Sequence, residues 1–198
     1  TNTKSIVDYV MIFTPRSGST WLTGILSGHF GYPEEYINPE LVKNISISMG
    51  TKDPENLIET LRKVRKSENG VFGIQVRSID IKLFGRKIFF RAFKNAKYFN
   101  VRRRNIIAQA ISLYRATETG VFHSTEVGEK IVDPGNVDEE KIIFWMKHIM
   151  AIEQENDWIL RSRNFPCVDL VYEDVAGNTR LALELVQNHL GIVKNIDF

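Results

Sequence analysis

Apolar residues follow two different periods along the chain, and the change of period predicts strands separated by helices. Short apolar runs bounded by turn residues predict four strands, at Ile6–Phe13, Val71–Val76, Lys97–Val101 and Cys167–Tyr172. Apolar positions three and four residues apart predict the longer helices, at about Ser19–His29, from Asp53 onward, Asn105–Ala116, Asp138–Arg163 and Thr179–Leu190. This order predicts an α/β fold in three layers, a parallel sheet with helices on both faces.

Composition adds limits to this picture. The 198 residues contain no repeat or evident linker and predict one domain over residues 1–198. A net charge of +2 argues against a broad nucleic-acid surface, and the lone Cys167 excludes an internal disulfide. No group of His, Asp and Glu has the spacing of metal ligands. With no signal-peptide pattern and no apolar run that could span a membrane, a cytoplasmic protein is expected.

The segment Thr14–Thr20 joins the first predicted strand to the first predicted helix. A helix N-terminus at the carboxyl end of a parallel strand offers free amides and a positive dipole to an anion. In this segment Gly18 permits close approach of the backbone to an anion's oxygen atoms, and Arg16 adds positive charge. Hydroxyl donors come from Ser17, Ser19 and Thr20. A plain capped helix is the alternative. The loop of nucleoside triphosphatases is excluded because Ser19 stands where that loop needs lysine.

The stretch Pro15–Trp21 resembles the 5′-phosphosulfate loop of sulfotransferases that use 3′-phosphoadenosine 5′-phosphosulfate. The resemblance implies the P-loop-like sulfotransferase fold. It also implies that Arg16 and the loop through Thr20 hold the 5′ end of the donor, and that Trp21 flanks the adenine. For Trp21, a core position on the helix is an equal alternative.

A second motif follows the third strand. Arg104-Asn105 precedes Ser112 by the spacing of the sulfotransferase 3′-phosphate signature, and the segment Gln109–Ala116 resembles the bacterial trehalose 2-sulfotransferase group. The resemblance implies that Arg104 and Ser112 bind the same 3′-phosphate. A guanidinium group can donate two hydrogen bonds to a phosphate, and a serine hydroxyl can donate another. The three side chains of Arg102–Arg104 cannot all point to the same face, because successive side chains of a strand point to opposite faces.

A general base is needed to take the proton of an acceptor hydroxyl. Cytosolic animal-type sulfotransferases use a histidine after the second strand, but this chain has none in Gly73–Ser78. Gly31–Tyr36 is similar to the Gly-Glu-Pro-x-Glu-Phe/Tyr motif of the trehalose group, which implies Glu35 as the base. Tyr32 replaces that motif's first glutamate, and a solvated acidic turn is the alternative. His123, in the loop predicted over residues 120–136, is a further acceptor-site candidate.

Together the resemblances imply a metal-independent sulfotransferase in which Arg16 also offsets charge on the leaving phosphate. They imply a small acceptor, a carbohydrate by analogy with the trehalose group, although a lipid or polyketide hydroxyl fits equally well. A homodimer is expected by the same analogy. A nucleotide-binding or interaction module that has lost catalysis is the alternative, favoured by Tyr32 and by the short segment Gly31–Gly70. A small kinase is opposed by the missing loop lysine.

Overall fold

The computed structural model describes residues 7–122 and 138–192. The strands are β1 (Val7–Phe13), β2 (Val71–Val76), β3 (Lys97–Arg102) and β4 (Cys167–Val171). The helices are α1 (Ser19–Leu26), α2 (Val42–Ser48), α3 (Pro54–Val64), α4 (Ser78–Phe84), α5 (Arg86–Ala92), α6 (Ile106–Thr119), α7 (Glu139–Ser162), α8 (Tyr172–Val175) and α9 (Thr179–Leu190). None of the helices in these two ranges is long and apolar enough to cross a membrane.

The four strands form one parallel sheet in the order β2-β1-β3-β4. The register pairs Ile12 of β1 with Val76 of β2 and with Asn100 of β3, so the three strands end at nearly the same level. From β1 the chain first adds β2 on one side and then β3 on the other. The carboxyl end of β1 is therefore the switch point at which open α/β sheets bind ligands.

Alternate side chains of β1 enter two separate cores. Val10 and Ile12 pack with apolar residues of α3, α4, α5 and the end of α7. Tyr9 and Met11 face the opposite side, where α1 and α9 cover the sheet. Because a strand turns successive side chains to opposite faces, this alternation places helices on both sides. The predicted three-layer α/β fold is confirmed.

The observed helices differ from the predicted ones in the end of the first helix and in four additional short helices. The first helix ends at Leu26 rather than His29, because Ser27 is extended and Gly28 has a φ of 84°. The short helices α2, α4, α5 and α8 have four to seven residues each and were not predicted. Segments this short show too few turns for a helical period to stand out, and Gly85 separates α4 from α5.

Candidate functional site

The connection from β1 to α1 is a tight turn with two residues in the left-handed region. Arg16 has a φ of 63° and Gly18 a φ of 90°. Left-handed backbone is uncommon for a residue with a side chain and is concentrated at functional sites. The turn leads directly into α1, whose first amides have no acceptor within the helix. The turn and the N-terminus of α1 therefore lie at the switch point of the sheet, and anion binding there stays a prediction.

Gly18 is required by its contact with Tyr172 as well as by its backbone angle. A Cβ atom built on Gly18 would lie 2.3 Å from Cδ2 of Tyr172. Tyr172 follows β4, so its ring reaches the loop from a distant part of the chain. The same ring meets Trp21 edge to face, with centroids 6.2 Å apart.

Replacing Gly18 by alanine is expected to destabilise the protein. A side chain in the left-handed region costs about 1–3 kcal/mol, and the contact with Tyr172 adds to it, so the melting temperature should fall by roughly 5 °C or more. Gly24, within α1, is the matched control because a Cβ atom there meets nothing within 4 Å. Gly24→Ala should raise the melting temperature through helix propensity. Equal melting of Gly18→Ala and wild type would contradict the packing described above.

Gln109 of α6 connects the turn to the second motif. Its Nε2 donates to the Thr14 hydroxyl and to the Pro15 carbonyl, both at 2.8 Å, and the residue is fully buried. The motif that contains Gln109 did not predict this role. The signal available was an amide side chain on the apolar face of a helix, which needs buried partners.

A cavity of about 470 Å³ opens at this turn. Its walls combine the loop, the first turn of α1 and four residues from more distant parts of the chain. The lining residues are Arg16, Gly18, Ser19, Thr20, Trp21, Arg103, Ser112, Phe122 and Tyr172. Arg16 Nε donates to Ser112 Oγ at 2.9 Å, across 96 residues of sequence. The structure thus brings the loop after β1 and Ser112 of the second predicted motif to one cavity.

The remaining loop residues take different positions. Ser19 is buried and Thr20 exposed, and both line the cavity. Ser17 is fully buried, does not line the cavity, and its Oγ has no hydrogen-bond partner among the described residues. Trp21 is half-buried, lining the cavity while also packing on the core under α1. Trp21 therefore belongs both to the cavity wall and to the margin of the core.

Arg103, rather than the predicted Arg104, reaches the cavity. Its guanidinium lies over the Tyr172 ring, 5.1 Å from the centroid, and Nη1 is 3.4 Å from the Arg16 carbonyl. Its Nε is buried and makes no hydrogen bond to the described residues. Nη2 of Arg104 instead donates to both carboxylate oxygens of Asp174 at 2.8 Å, and the Arg104 side chain is 62% exposed. The structure therefore does not bring Arg104 and Ser112 together.

Glu173 holds the turn that carries these arginines. Its carboxylate accepts from the amides of Arg104 and Asn105 at 2.8 and 3.0 Å. Burial alone would raise the pKa of Glu173, but these amides and the charge of Arg103 hold it below its ordinary value. The carboxylate therefore stays ionised and fixes the start of α6, on which Ser112 stands.

Glu35, the predicted base, lies beside β2 and not in the lining of the cavity. The chain at Glu34 bridges to Ile74 in parallel, and the Gln75 amide donates to the Glu34 carbonyl at 3.2 Å. Asn38 donates to Oε2 of Glu35 at 2.9 Å. Glu35 is half-buried at the carboxyl half of β2. Glu35 therefore lies towards the carboxyl ends of the strands, where open α/β sheets bind ligands. It is beside β2, the neighbour of the strand that precedes the loop.

Arg77 provides positive charge near Glu35. Burial lowers the pKa of Arg77, but its hydrogen bond to Asp80 and the charges of Asp80, Glu35 and Glu40 outweigh burial and raise it. Arg77 directly follows β2.

The residues around the cavity combine hydrogen-bond donors for anions with aromatic surface. Guanidinium groups of Arg16 and Arg103, the α1 amides and the Ser112 hydroxyl are all donors, and aromatic rings of Trp21 and Tyr172 supply apolar surface. Within residues 7–122 and 138–192, no three His, Cys, Asp or Glu side chains form a group that could hold a metal. His123 lies outside the described residues.

Comparison with known proteins agrees with this geometry. The family model "Stf0 sulphotransferase" matches residues 8–195. Among solved structures, the sulfotransferase domain from the Synechococcus PCC 7002 olefin synthase matches with a TM-score of 0.56 and 19% identity, covering 96% of this chain and 75% of that one. No curated protein sequence matches. At this identity the structural match establishes the fold alone, whereas the family model spans nearly the whole chain. The chain belongs to the Stf0 sulfotransferase family.

Proposed function

We propose that this sulfotransferase takes its sulfuryl group from 3′-phosphoadenosine 5′-phosphosulfate and transfers it to a hydroxyl of a small acceptor. The observation that carries the proposal is the shared cavity, in which the loop after β1 and Ser112 of α6 meet through the Arg16–Ser112 hydrogen bond. A donor with phosphates at both ends of its ribose needs two such groups of donors close together.

The 5′ end is assigned to the loop Arg16, Ser17, Gly18, Ser19 and Thr20, with Trp21 beside the adenine. Ser17 does not line the cavity, so its role is assigned to its place in the loop backbone and not to its side chain. For the 3′-phosphate we retain Ser112 and name Arg103 as its charged partner. Arg103 lines the cavity, and its Nε lies 3.9 Å from Glu173 Oε1 without a hydrogen bond to the described residues. A guanidinium carries five N–H donors, so Arg103 retains donors for an anion. Arg104 remains the alternative that the motif implies.

The chemistry requires a proton acceptor and stabilisation of the leaving group. In the proposed reaction the acceptor oxygen bonds to sulfur while the bond from sulfur to the 5′-phosphate oxygen breaks, and Glu35 takes the hydroxyl proton. Negative charge grows on that phosphate oxygen, where Arg16 and the α1 amides offset it. Because these groups supply the positive charge, the proposal requires no divalent metal.

Glu35 does not line the cavity, and this position favours a second candidate, a nucleotide-binding module without catalysis. The two candidates share the donor site and differ in turnover. Transfer of labelled sulfate from the donor to any hydroxyl, in the presence of a metal chelator, would exclude the non-catalytic candidate.

The donor assignment predicts that the site demands a 3′-phosphate. Leaving the charged partners of that phosphate unpaired costs ~2–5 kcal/mol, so 3′-phosphoadenosine 5′-phosphate should bind roughly thirty-fold to several-thousand-fold more tightly than adenosine 5′-phosphate. Titration calorimetry with the two nucleotides measures the ratio. Equal affinities would remove the donor assignment.

A further inference from the structure

A second cavity, of about 330 Å³, lies among α2, α3 and α4, apart from the nucleotide cavity. Seven of its nine lining residues are aliphatic, aromatic or proline, and the other two are Ser46 and Lys52. Its volume equals that of roughly ten water molecules and falls at the lower end of ligand pockets.

The wall of this second cavity is open to solvent and apolar. Leu83 of α4 lines it, although 62% of that residue is exposed. Ile79 stands four positions earlier on the same helix face and is 44% exposed. None of the residues of α2, the helix that faces the cavity with Val42 and Ser46, is buried. An apolar surface left exposed in this way is typical of a binding groove.

The second cavity adjoins the segment that carries Glu35. Ile37 and Pro39 line it, and the residue between them, Asn38, donates to the Glu35 carboxylate. On the other side, Ile79 lies in the first turn of α4, two residues after Arg77, whose pKa reflects the charge of Glu35. The apolar surface thus begins beside the proposed base and extends away from it.

We propose that this cavity binds the aliphatic chain of the acceptor, so that the substrates are alcohols carried on alkyl or acyl chains. The inference rests on the proposed function, because it takes Glu35 as the base. A sugar would leave these aliphatic walls in contact with water or with unpaired hydroxyls, whereas a hydrocarbon chain gains free energy from each methylene buried there.

A matched pair of substitutions on α2 tests the proposal. Ser46 lines the cavity, whereas Ser48, on the same helix, is exposed and lies outside the lining. Ser46→Phe should fill the cavity and Ser48→Phe should not. Calorimetry would follow octanol binding to the protein saturated with 3′-phosphoadenosine 5′-phosphate. Ser46→Phe should weaken octanol binding at least about tenfold, since several methylenes lose their site. Ser48→Phe should leave it unchanged.

The same complexes separate failure of this inference from failure of the proposed function. Undiminished binding of the nucleotide by Ser46→Phe would show that the variant is folded. Transfer assays with ethanol, hexanol and decanol should then show kcat/KM rising about threefold per methylene until the chain fills the cavity. Octanol binding that is equal in both variants, or trehalose as a better acceptor than decanol, would overturn the aliphatic assignment alone. Absence of nucleotide binding in the wild type would instead overturn the proposed function.

Discussion

Replacing Arg103 by alanine is expected to remove most of the preference for 3′-phosphoadenosine 5′-phosphate over adenosine 5′-phosphate. Arg103 lies in the cavity wall with Ser112, and its side chain is only 23% exposed. Truncating one partner of a buried charge pair costs ~2–5 kcal/mol, equivalent to roughly thirty-fold to several-thousand-fold in affinity. The measurement is titration calorimetry of both nucleotides with the wild type and the variant.

Arg104→Ala is the matched control, since it removes an adjacent residue of the same type. Its pair with Asp174 is exposed, and exposed pairs contribute little. The two nucleotides should therefore keep nearly their wild-type affinities. The opposite result, with loss in Arg104→Ala and none in Arg103→Ala, would mean that Arg104 leaves Asp174 to bind the phosphate, as the motif implies.

Replacing Glu35 by glutamine should lower the rate of transfer by ~10²–10⁴ because the variant keeps the shape of the side chain and loses the proton acceptor. Binding of 3′-phosphoadenosine 5′-phosphate should not change, since Glu35 lies outside the nucleotide cavity. The measurement combines single-turnover transfer with calorimetry on the same protein.

Glu34 supplies the control for this experiment. Its carboxylate is exposed and lies 3.3 Å from Arg65, away from the hydrogen bond between Asn38 and Glu35. Glu34→Gln should therefore transfer sulfate at the wild-type rate. If Glu35→Gln is as active as Glu34→Gln, another group takes the proton.

The sheet could be predicted from the sequence because its first three strands are largely buried on both faces. The short and largely apolar run Val71–Val76, bounded by turn residues, is typical of such a strand, and the structure gives that strand the predicted bounds. The long helices α6, α7 and α9 also begin within a residue or two of their predicted starts. Strand order and register required the structure, because contacts between distant segments decide them.

The direction of each arginine in the run Arg102–Arg104 could not be read from strand alternation alone. Strand β3 ends at Arg102, whose side chain pairs with Asp157 and Asp169. Beyond the strand, long-range contacts set the direction of the other two arginines. Glu173 accepts from the backbone amide of Arg104, and Asp174 pairs with the Arg104 guanidinium. The ring of Tyr172 lies under the guanidinium of Arg103. The Tyr172–Asp174 segment lies about seventy residues further along the chain, and no local pattern links it to the arginines.

The bridge between Glu34 and Ile74 has a further consequence, for aggregation. Strand β2 is at the edge of the sheet, and an open edge is a template for pairing with a strand from another molecule. On β2 the Gln75 amide is already bonded to Glu34, and the Val71 carbonyl accepts from the Ser67 amide. A foreign strand would have to displace both native partners before it could add to this edge. The segment that places the proposed base therefore also protects the β2 edge from pairing with a strand of another molecule.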